Sequence, residues 1–341
     1  MADINLELLQ EMLERDGFDG SFKLTPLSGG ANNRVFRVDG KFVPLLLKVY
    51  FKHPGDLRDR AATEFAFADF AWERGLRCIP QPINCDRHGY MGLYRFLSGR
   101  RVSAAEMNDH LLHQAMVFYR ALNEFRDHPD AGKLPEASEA CFDLLSHIRC
   151  IEQRVERLQQ VHPASAIDRD AHRFVSSALL PLWTGVAETF QRQASSSGIP
   201  LDRKIDQKDR RLSPSDFGFH NALLSDDGIL FFYDFEYSGW DDPAKLVCDF
   251  FCQPAIPVPR HFFDSFRDAV VSGLTNPEEH SARVSMLLPV YQVKWISIML
   301  NDFLPASDDR RRFAGLTDDS DRKANQLAKA RTHLQQIEVR A

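Results

Sequence analysis

The 341-residue chain has little tryptophan (4) and tyrosine (7), and its charge is not positive: 42 Lys+Arg stand against 48 Asp+Glu, a net of -6. Affinity for nucleic acid rests on concentrated cationic surface, which this balance argues against. Six cysteines (Cys78, Cys85, Cys141, Cys150, Cys248 and Cys252) include no C-x-x-C pair, so a zinc-finger spacing is excluded. Spread so thinly, they do not form the framework of a small disulfide scaffold either. They read as reduced thiols, with Cys248 and Cys252 as buried ones. Gly and Pro, at 18 each, are too few for a collagenous or low-complexity chain. No apolar run reaches the length of a membrane-spanning helix. The opening MADINLELLQEMLERDGF lacks the basic and then apolar order of a signal peptide. The expectation is a cytoplasmic protein with no membrane or nucleic-acid partner. Also missing are G-x-x-x-x-G-K-[ST], G-x-S-x-G and H-E-x-x-H, which removes the P-loop, the nucleophile elbow and the helical zinc motif.

What the chain has in quantity is phenylalanine, 26 residues of it, and a length that suits two lobes. A short amphipathic helix opens the sequence, with Leu6, Leu9, Met12 and Leu13 set among acids. Between Lys23 and Leu97 the pattern turns β-rich, with runs at Arg34–Val38, Pro44–Phe51 and Gly89–Leu97. One Ala/Phe-rich helix, Arg58–Arg74, interrupts them and stops at Gly75. Beyond Ser98 helical spacing dominates: His110–Arg126, then Leu144 to Leu158, then Phe174–Gln193, a polar loop over Gln193–Gly198, and helices again from Pro259. Arg310–Arg312 reads as a solvated face. The expected division is a lobe of residues 1–97 and a helical lobe of residues 98–341.

One β island, Leu212–Pro243, breaks the helical half. Ser225-Asp226-Asp227-Gly228 is a turn signal between ALL and ILFFY, and a turn centred there sets Asn221 opposite Tyr233. Asp234 then lies at the open end of the hairpin beside Asn221, with Asp216 on the loop leading in. A carboxylate and an amide oxygen at one hairpin mouth suit a hard divalent ion such as Mg²⁺. A further carboxylate upstream could take a proton from a hydroxyl attacking phosphate. In the other half, Lys48 stands inside an apolar strand, and Glu64 stands sixteen residues later in a helix where a carboxylate is out of place.

D-x-x-x-x-N followed by D-F-E resembles the catalytic loop and metal motif of the aminoglycoside phosphotransferase and choline kinase superfamily, over most of the chain. The resemblance implies an α+β, bilobal, protein-kinase-like fold with a small antiparallel sheet-plus-helix lobe and a larger helical lobe. It implies Asp216 as catalytic base, Asn221 and Asp234 as Mg²⁺ ligands, and Glu236 as an aid to a second metal or an orienter of the first. LSGGANNRVFRV is similar to the family's phosphate-covering turn, with Ser28, Gly29 and Gly30 offering backbone N–H groups. Lys48 and Glu64 resemble the strand lysine that contacts the nucleotide phosphates and its helical partner. LYRFLSGR is similar to the inter-lobe hinge, where backbone near Arg95 and Leu97 would bind adenine. GWDDPAKLVCDF resembles the segment after the metal loop, with Asp249 bracing the catalytic loop. The implied activity is ATP- and Mg²⁺-dependent transfer of the γ-phosphoryl group to a hydroxyl of a small molecule: a sugar, an aminoglycoside-like compound or an amino alcohol. A nucleotide-binding pseudokinase and an adenylyl-transferring regulator are the alternatives.

The chain departs from the family pattern at Pro214-Ser215-Asp216, where the family writes H-G-D, and at Leu246, where it has an aspartate. Eight acids and one base, Lys245, lie between Asp216 and Asp249, a net of -7. That segment is where the sequence places Mg²⁺.

Overall fold

The computed structural model describes residues 4–27, 33–52, 58–304, 313 and 320–337. Ser28, Gly29, Gly30 and Arg310–Arg312 lie outside the described residues. The first half of the chain gives α1 (Leu6–Arg15), β1 (Lys23–Leu27), β2 (Arg34–Asp39), β3 (Leu45–Val49), α2 (Arg60–Glu73), β4 (Pro82–Asp86), β5 (Met91–Arg95), β6 (Arg100–Arg101) and α3 (Asp109–Glu124). Helices α4 (Leu144–Arg157), α5 (Ala166–Phe174) and α6 (Leu180–Ser197) follow. Then come β7 (Arg211–Ser213), β8 (Ala222–Leu224), β9 (Leu230–Phe232) and β10 (Gly239–Asp241). The last helices are α7 (Pro243–Cys252), α8 (Phe263–Val271), α9 (Pro277–Leu300) and α10 (Ser320–Gln335).

Two compact units divide the chain. The first comprises Met1–Glu136, Pro214–Gly239 and Asp309–Thr317; the second comprises Ala137–Ser213, Trp240–Asp308 and Asp318–Ala341. The first unit thus continues through residue 97, where the sequence reading set a lobe boundary, and takes in the β8–β9 hairpin.

In the first unit five antiparallel strands run in the order β1-β2-β3-β5-β4. Side chains alternate across a strand, so Leu45, Leu47 and Val49 share one face of β3 and pack with Leu9, Met12 and Leu13 of α1. Lys48 is left on the opposite face, only 6% exposed. Helix α2 starts where the Asp59 side chain accepts from the Ala62 N–H at 3.0 Å. It ends as Gly75, at φ 86, closes the last turn by donating to the Trp72 carbonyl at 2.9 Å. Its buried stripe Ala61, Glu64, Phe67, Ala68 and Ala71 follows helical spacing. The Asp-Asp-Gly turn, with Gly228 at φ 77, sets Ala222 opposite Phe232 and Leu224 opposite Leu230. β6 adds a third strand to this hairpin.

The second unit is mainly helical and centres on α9, whose His280-to-Leu300 stretch is largely buried. The sequence reading started a helix at Phe174 and made Gln193–Gly198 a loop. Both change in the structure. α5 begins at Ala166 and continues through a π-helical stretch, Val175–Leu179, into α6. Pro181 lacks the N–H that would satisfy the Ser177 carbonyl, a reason for the ladder to widen there. α6 then runs to Ser197, where Gly198 at φ 68 caps it. Cys248 and Cys252 are buried, as expected, with Sγ 3.6 Å from the Val284 carbonyl and 3.9 Å from the Leu288 carbonyl. No described helix is long and apolar enough to cross a membrane.

Candidate active site

Every described residue of the expected site falls in the first unit. The pairing of β3 with β5 sets Lys48 opposite Gly92, and a Cβ there would sit 2.8 Å from the Tyr94 ring and 3.2 Å from the Tyr50 hydroxyl. Glycine thus leaves room for a polar layer over this part of the sheet. The Lys48 ammonium donates to Glu64 Oε2 at 2.6 Å and to Asp234 Oδ1. Burial opposes the lysine's charge, but Asp234, Glu64 and Glu236 outweigh it and hold the pKa well above its ordinary value. Glu64 Oε2 also accepts from the Tyr50 hydroxyl at 2.9 Å, and the Tyr50 and Tyr94 hydroxyls share a hydrogen bond at 2.9 Å. Burial pushes the Glu64 carboxyl up to about 7; Lys48 opposes the rise, and Asp234 and Glu236 add to it.

The hairpin brings the remaining groups together as the turn arithmetic requires. The Tyr233 N–H donates to the Asn221 carbonyl at 3.0 Å, which places Asp234 just past the end of β9. Phe217 and Phe219 are 3% and 0% exposed. Asp216 and His220, on either side of them in sequence, are only partly buried. The Asn221 amide nitrogen donates to the Asp216 carbonyl at 3.0 Å and to Asp216 Oδ2 at 3.2 Å. With its nitrogen so committed, Asn221 Oδ1 has no hydrogen-bond partner among the described residues, and neither does Asp234 Oδ2. Ser215 and Asp234 both adopt the left-handed backbone region, at φ 66 and φ 70. Such backbone costs non-glycine residues free energy and collects at functional sites.

The free oxygens meet the requirements of a hard cation. Burial raises the Asp234 carboxyl above its ordinary value; Lys48 opposes this and Glu236 and Asp216 add to it. A cation beside Asp234 would relieve that crowding. Among the described residues no three His, Cys, Asp or Glu side chains converge on one point, so phosphate or water oxygens would have to complete the coordination. Glu236 stands differently. It is 1% exposed, Oε2 accepts from the Asn33 amide at 2.9 Å, and Oε1 lies 3.4 Å from the Arg60 guanidinium. Burial pushes its carboxyl up, but the charges of Lys48 and Arg60 and hydrogen bonds from Asn33 and Tyr237 hold it below the ordinary value.

The hinge residues divide. The Arg95 N–H donates to the Gln81 carbonyl at 2.8 Å, whereas the Leu97 backbone has no partner among the described residues. Asp249 lies in the second unit. Its carboxylate accepts from Lys294 on both oxygens and from Trp295 Nε1, each at 2.8 Å, so α9 is what it holds. The second unit also contains a cavity of about 1070 Å³, bordered by Phe190, Gln193, Gln253, Arg260, Met286 and Gln292 among others.

The sequence reading missed Asn33, Arg60 and His220. Asn33 and Arg60 meet Glu236 across 203 and 176 residues, a separation that no local pattern marks. His220 carried a signal that went unused: it stands four residues after Asp216, next to the metal-ligand candidate Asn221. Its Nε2 lies 3.0 Å from Asp216 Oδ1.

The model of the phosphotransferase enzyme family matches residues 23–284. The fold is similar to choline kinase from Cryptosporidium parvum Iowa II at 12% identity, covering 97% of each chain with a TM-score of 0.55. It is similar to a spectinomycin phosphotransferase solved with ADP and spectinomycin at 13% identity, covering 95% of this chain and 98% of that one, TM-score 0.57. A choline/ethanolamine kinase family protein from Mesorhizobium loti is similar at 18% identity, covering 98% of this chain and 99% of that one, TM-score 0.53. No curated protein sequence matches the chain. The fold is kinase-like, a small antiparallel sheet joined to a larger helical part, and the chain belongs to the phosphotransferase enzyme family.

Proposed function

We propose that the protein is a small-molecule kinase that moves the γ-phosphoryl group of ATP to an acceptor hydroxyl. The observation that carries this reading is one cluster: Lys48 paired to both Glu64 and Asp234, with Asp216 and Asn221 hydrogen-bonded at the same hairpin mouth. The acceptor oxygen attacks the γ-phosphorus, the bond from that phosphorus to the ADP oxygen breaks, and the hydroxyl proton passes to the Asp216 carboxylate. Asn221 Oδ1 and Asp234 Oδ2 hold Mg²⁺, which neutralises phosphate charge when bound. Lys48 fixes the phosphates. Glu236, engaged by Asn33 and Arg60, has the orienting role. Backbone near Arg95 and Leu97 would receive adenine. Catalysis in this class is mainly positioning and charge neutralisation, so few residues suffice.

In this reading residues 1–97 cover the nucleotide, and residues 98–341 carry the catalytic loop and the acceptor pocket, in a cytoplasmic enzyme. The acceptor is a sugar, an aminoglycoside-like compound or an amino alcohol, in keeping with the choline kinase and spectinomycin phosphotransferase to which the fold is similar.

Incubation with γ-labelled or α-labelled ATP, Mg²⁺ and a metabolite extract tests the reading. Label should reach a small molecule only from the γ position. Transfer from the α position would establish adenylylation, and tight ATP binding without transfer would establish a pseudokinase. Asp216→Asn should lower transfer by about a thousandfold or more while ATP still binds; unchanged turnover would remove Asp216 as the base.

A further inference from the structure

The imidazole of His220 is a polar group of the site that the reading above leaves without a task. Its Nε2 lies 3.0 Å from Asp216 Oδ1, and its Nδ1 is buried with no hydrogen-bond partner among the described residues. A neutral imidazole carries one proton, and the nitrogen that faces an acceptor is the one that keeps it. Here that is Nε2, whose N–H donates to Asp216 Oδ1. The bare Nδ1 then finds no donor among the described residues. A buried polar atom left in that state costs free energy and calls for a reason.

The backbone that carries the ring is held in place. The Tyr233 hydroxyl donates to the His220 carbonyl at 3.2 Å, and the Tyr233 N–H donates to the Asn221 carbonyl at 3.0 Å. Phe219, beside His220 in sequence, is fully buried. The backbone under the histidine is therefore pinned to the hairpin on two sides. Asp216 follows Ser215, whose φ is 66, and its own N–H reaches back to the Pro214 carbonyl at 2.9 Å. An aspartate side chain has several rotamers open to it. Two side-chain donors, His220 on Oδ1 and Asn221 on Oδ2, select one.

We propose that His220 is a positioning residue that fixes the orientation of the Asp216 carboxylate toward the acceptor hydroxyl through Nε2–H···Oδ1. This rests on Asp216 being the base. His220 itself touches neither substrate nor nucleotide and exchanges no proton. Its effect belongs in the rate of the step that uses Asp216, with ATP binding unaltered, because a displacement of about an ångström at a reacting group costs on the order of a hundredfold.

Two measurements test the proposal, and neither needs the acceptor to be known. In the first, histidine ring ¹⁵N spectra assign the tautomer: His220 should carry its proton on Nε2, and that N–H signal should be lost in Asp216→Ala. A proton on Nδ1, or an Nε2–H signal unchanged in Asp216→Ala, would overturn the proposal. In the second, phosphate release from MgATP is followed with water as acceptor. His220→Ala should lower kcat by about ten- to a hundredfold with KM for ATP within about twofold. His220→Gln, whose amide N–H can reach the place of Nε2–H, should recover much of that loss. Wild-type kcat in His220→Ala, alongside an inactive Asp216→Asn, would overturn the role of His220 while leaving the base intact. Wild-type kcat in Asp216→Asn would remove the base, and the ring spectrum would still decide whether the contact exists.

Discussion

The polar cluster of the first unit and that of the second are built from the same residue types and end in opposite states. In the second unit Asp242 is fully buried, with Oδ2 3.2 Å from His147 Nε2 and 2.5 Å from the Arg283 guanidinium, and its backbone-facing oxygen accepts from the Ala244 N–H at 2.8 Å. His147 Nδ1 in turn meets the Tyr291 hydroxyl at 2.7 Å. Asp241 is paired with Lys245, and Asp249 with Lys294 and Trp295. Every carboxylate there has a cation or N–H of the protein's own. In the first unit Asp234 and Asn221 each keep an oxygen without a partner among the described residues. Closed networks fix a fold, whereas unfilled oxygens leave room for a ligand.

The contrast corrects a reading of charge along the chain. The eight acids from Asp216 to Asp249 look like one acidic patch awaiting Mg²⁺. In space Asp241, Asp242 and Asp249 belong to the second unit and are neutralised there. Asp226 and Asp227 sit on the exposed hairpin turn. Only Asp216, Asp234 and Glu236 remain at the site, and Glu236 has protein partners.

The largest expected effect comes from opening the closed network. Arg283→Met strands the buried Asp242 carboxylate and should cost about 4 kcal/mol of unfolding free energy by urea denaturation. A loss under about 1 kcal/mol would mean that this network is not what holds α7 to α9. A smaller effect follows from the sign of the Glu64 shift. Its carboxyl, ordinarily near 4.5, stands at about 7 in the folded protein. The folded state therefore holds a proton that the unfolded state releases within that window, so this group's contribution to stability falls as pH rises through it. Between about pH 5 and pH 8, Glu64→Gln should remove on the order of 2 kcal/mol of that decline. The slope is the readout, since the substitution also alters the Lys48 pair at every pH. An unchanged slope would place the titration elsewhere. Smallest is Gly92→Ala. In an ordinary strand this change stabilises, but here the added Cβ meets the Tyr94 ring at 2.8 Å. It should cost about 1 kcal/mol in thermal unfolding, and a gain would show that the tyrosine layer tolerates it.

How much of the site was legible follows from how local its signals are. The Asp-Asp-Gly turn gave the Asn221–Tyr233 register because hairpin pairing is fixed by the turn. Lys48 in an apolar strand and Glu64 in an apolar helix announced each other because neither charge is tolerable in such surroundings alone. The engagement of Glu236 by Asn33 and Arg60 joins segments far apart in sequence, which a single chain does not encode locally. The extension of α6 to Ser197 was misread because the Gln193–Gly198 stretch is polar. That polarity reflects an exposed helical face rather than a loop.

The central claim is that the first unit's unfilled oxygens bind metal with nucleotide, while the closed network serves only stability. The most direct measurement is the thermal shift that ATP produces with Mg²⁺ and with EDTA, in wild type, Asp234→Asn and Arg283→Met. The account predicts a Mg²⁺-dependent shift in wild type, its loss in Asp234→Asn at a nearly unchanged starting Tm, and its retention from a lower starting Tm in Arg283→Met. A full Mg²⁺-dependent shift in Asp234→Asn would contradict it.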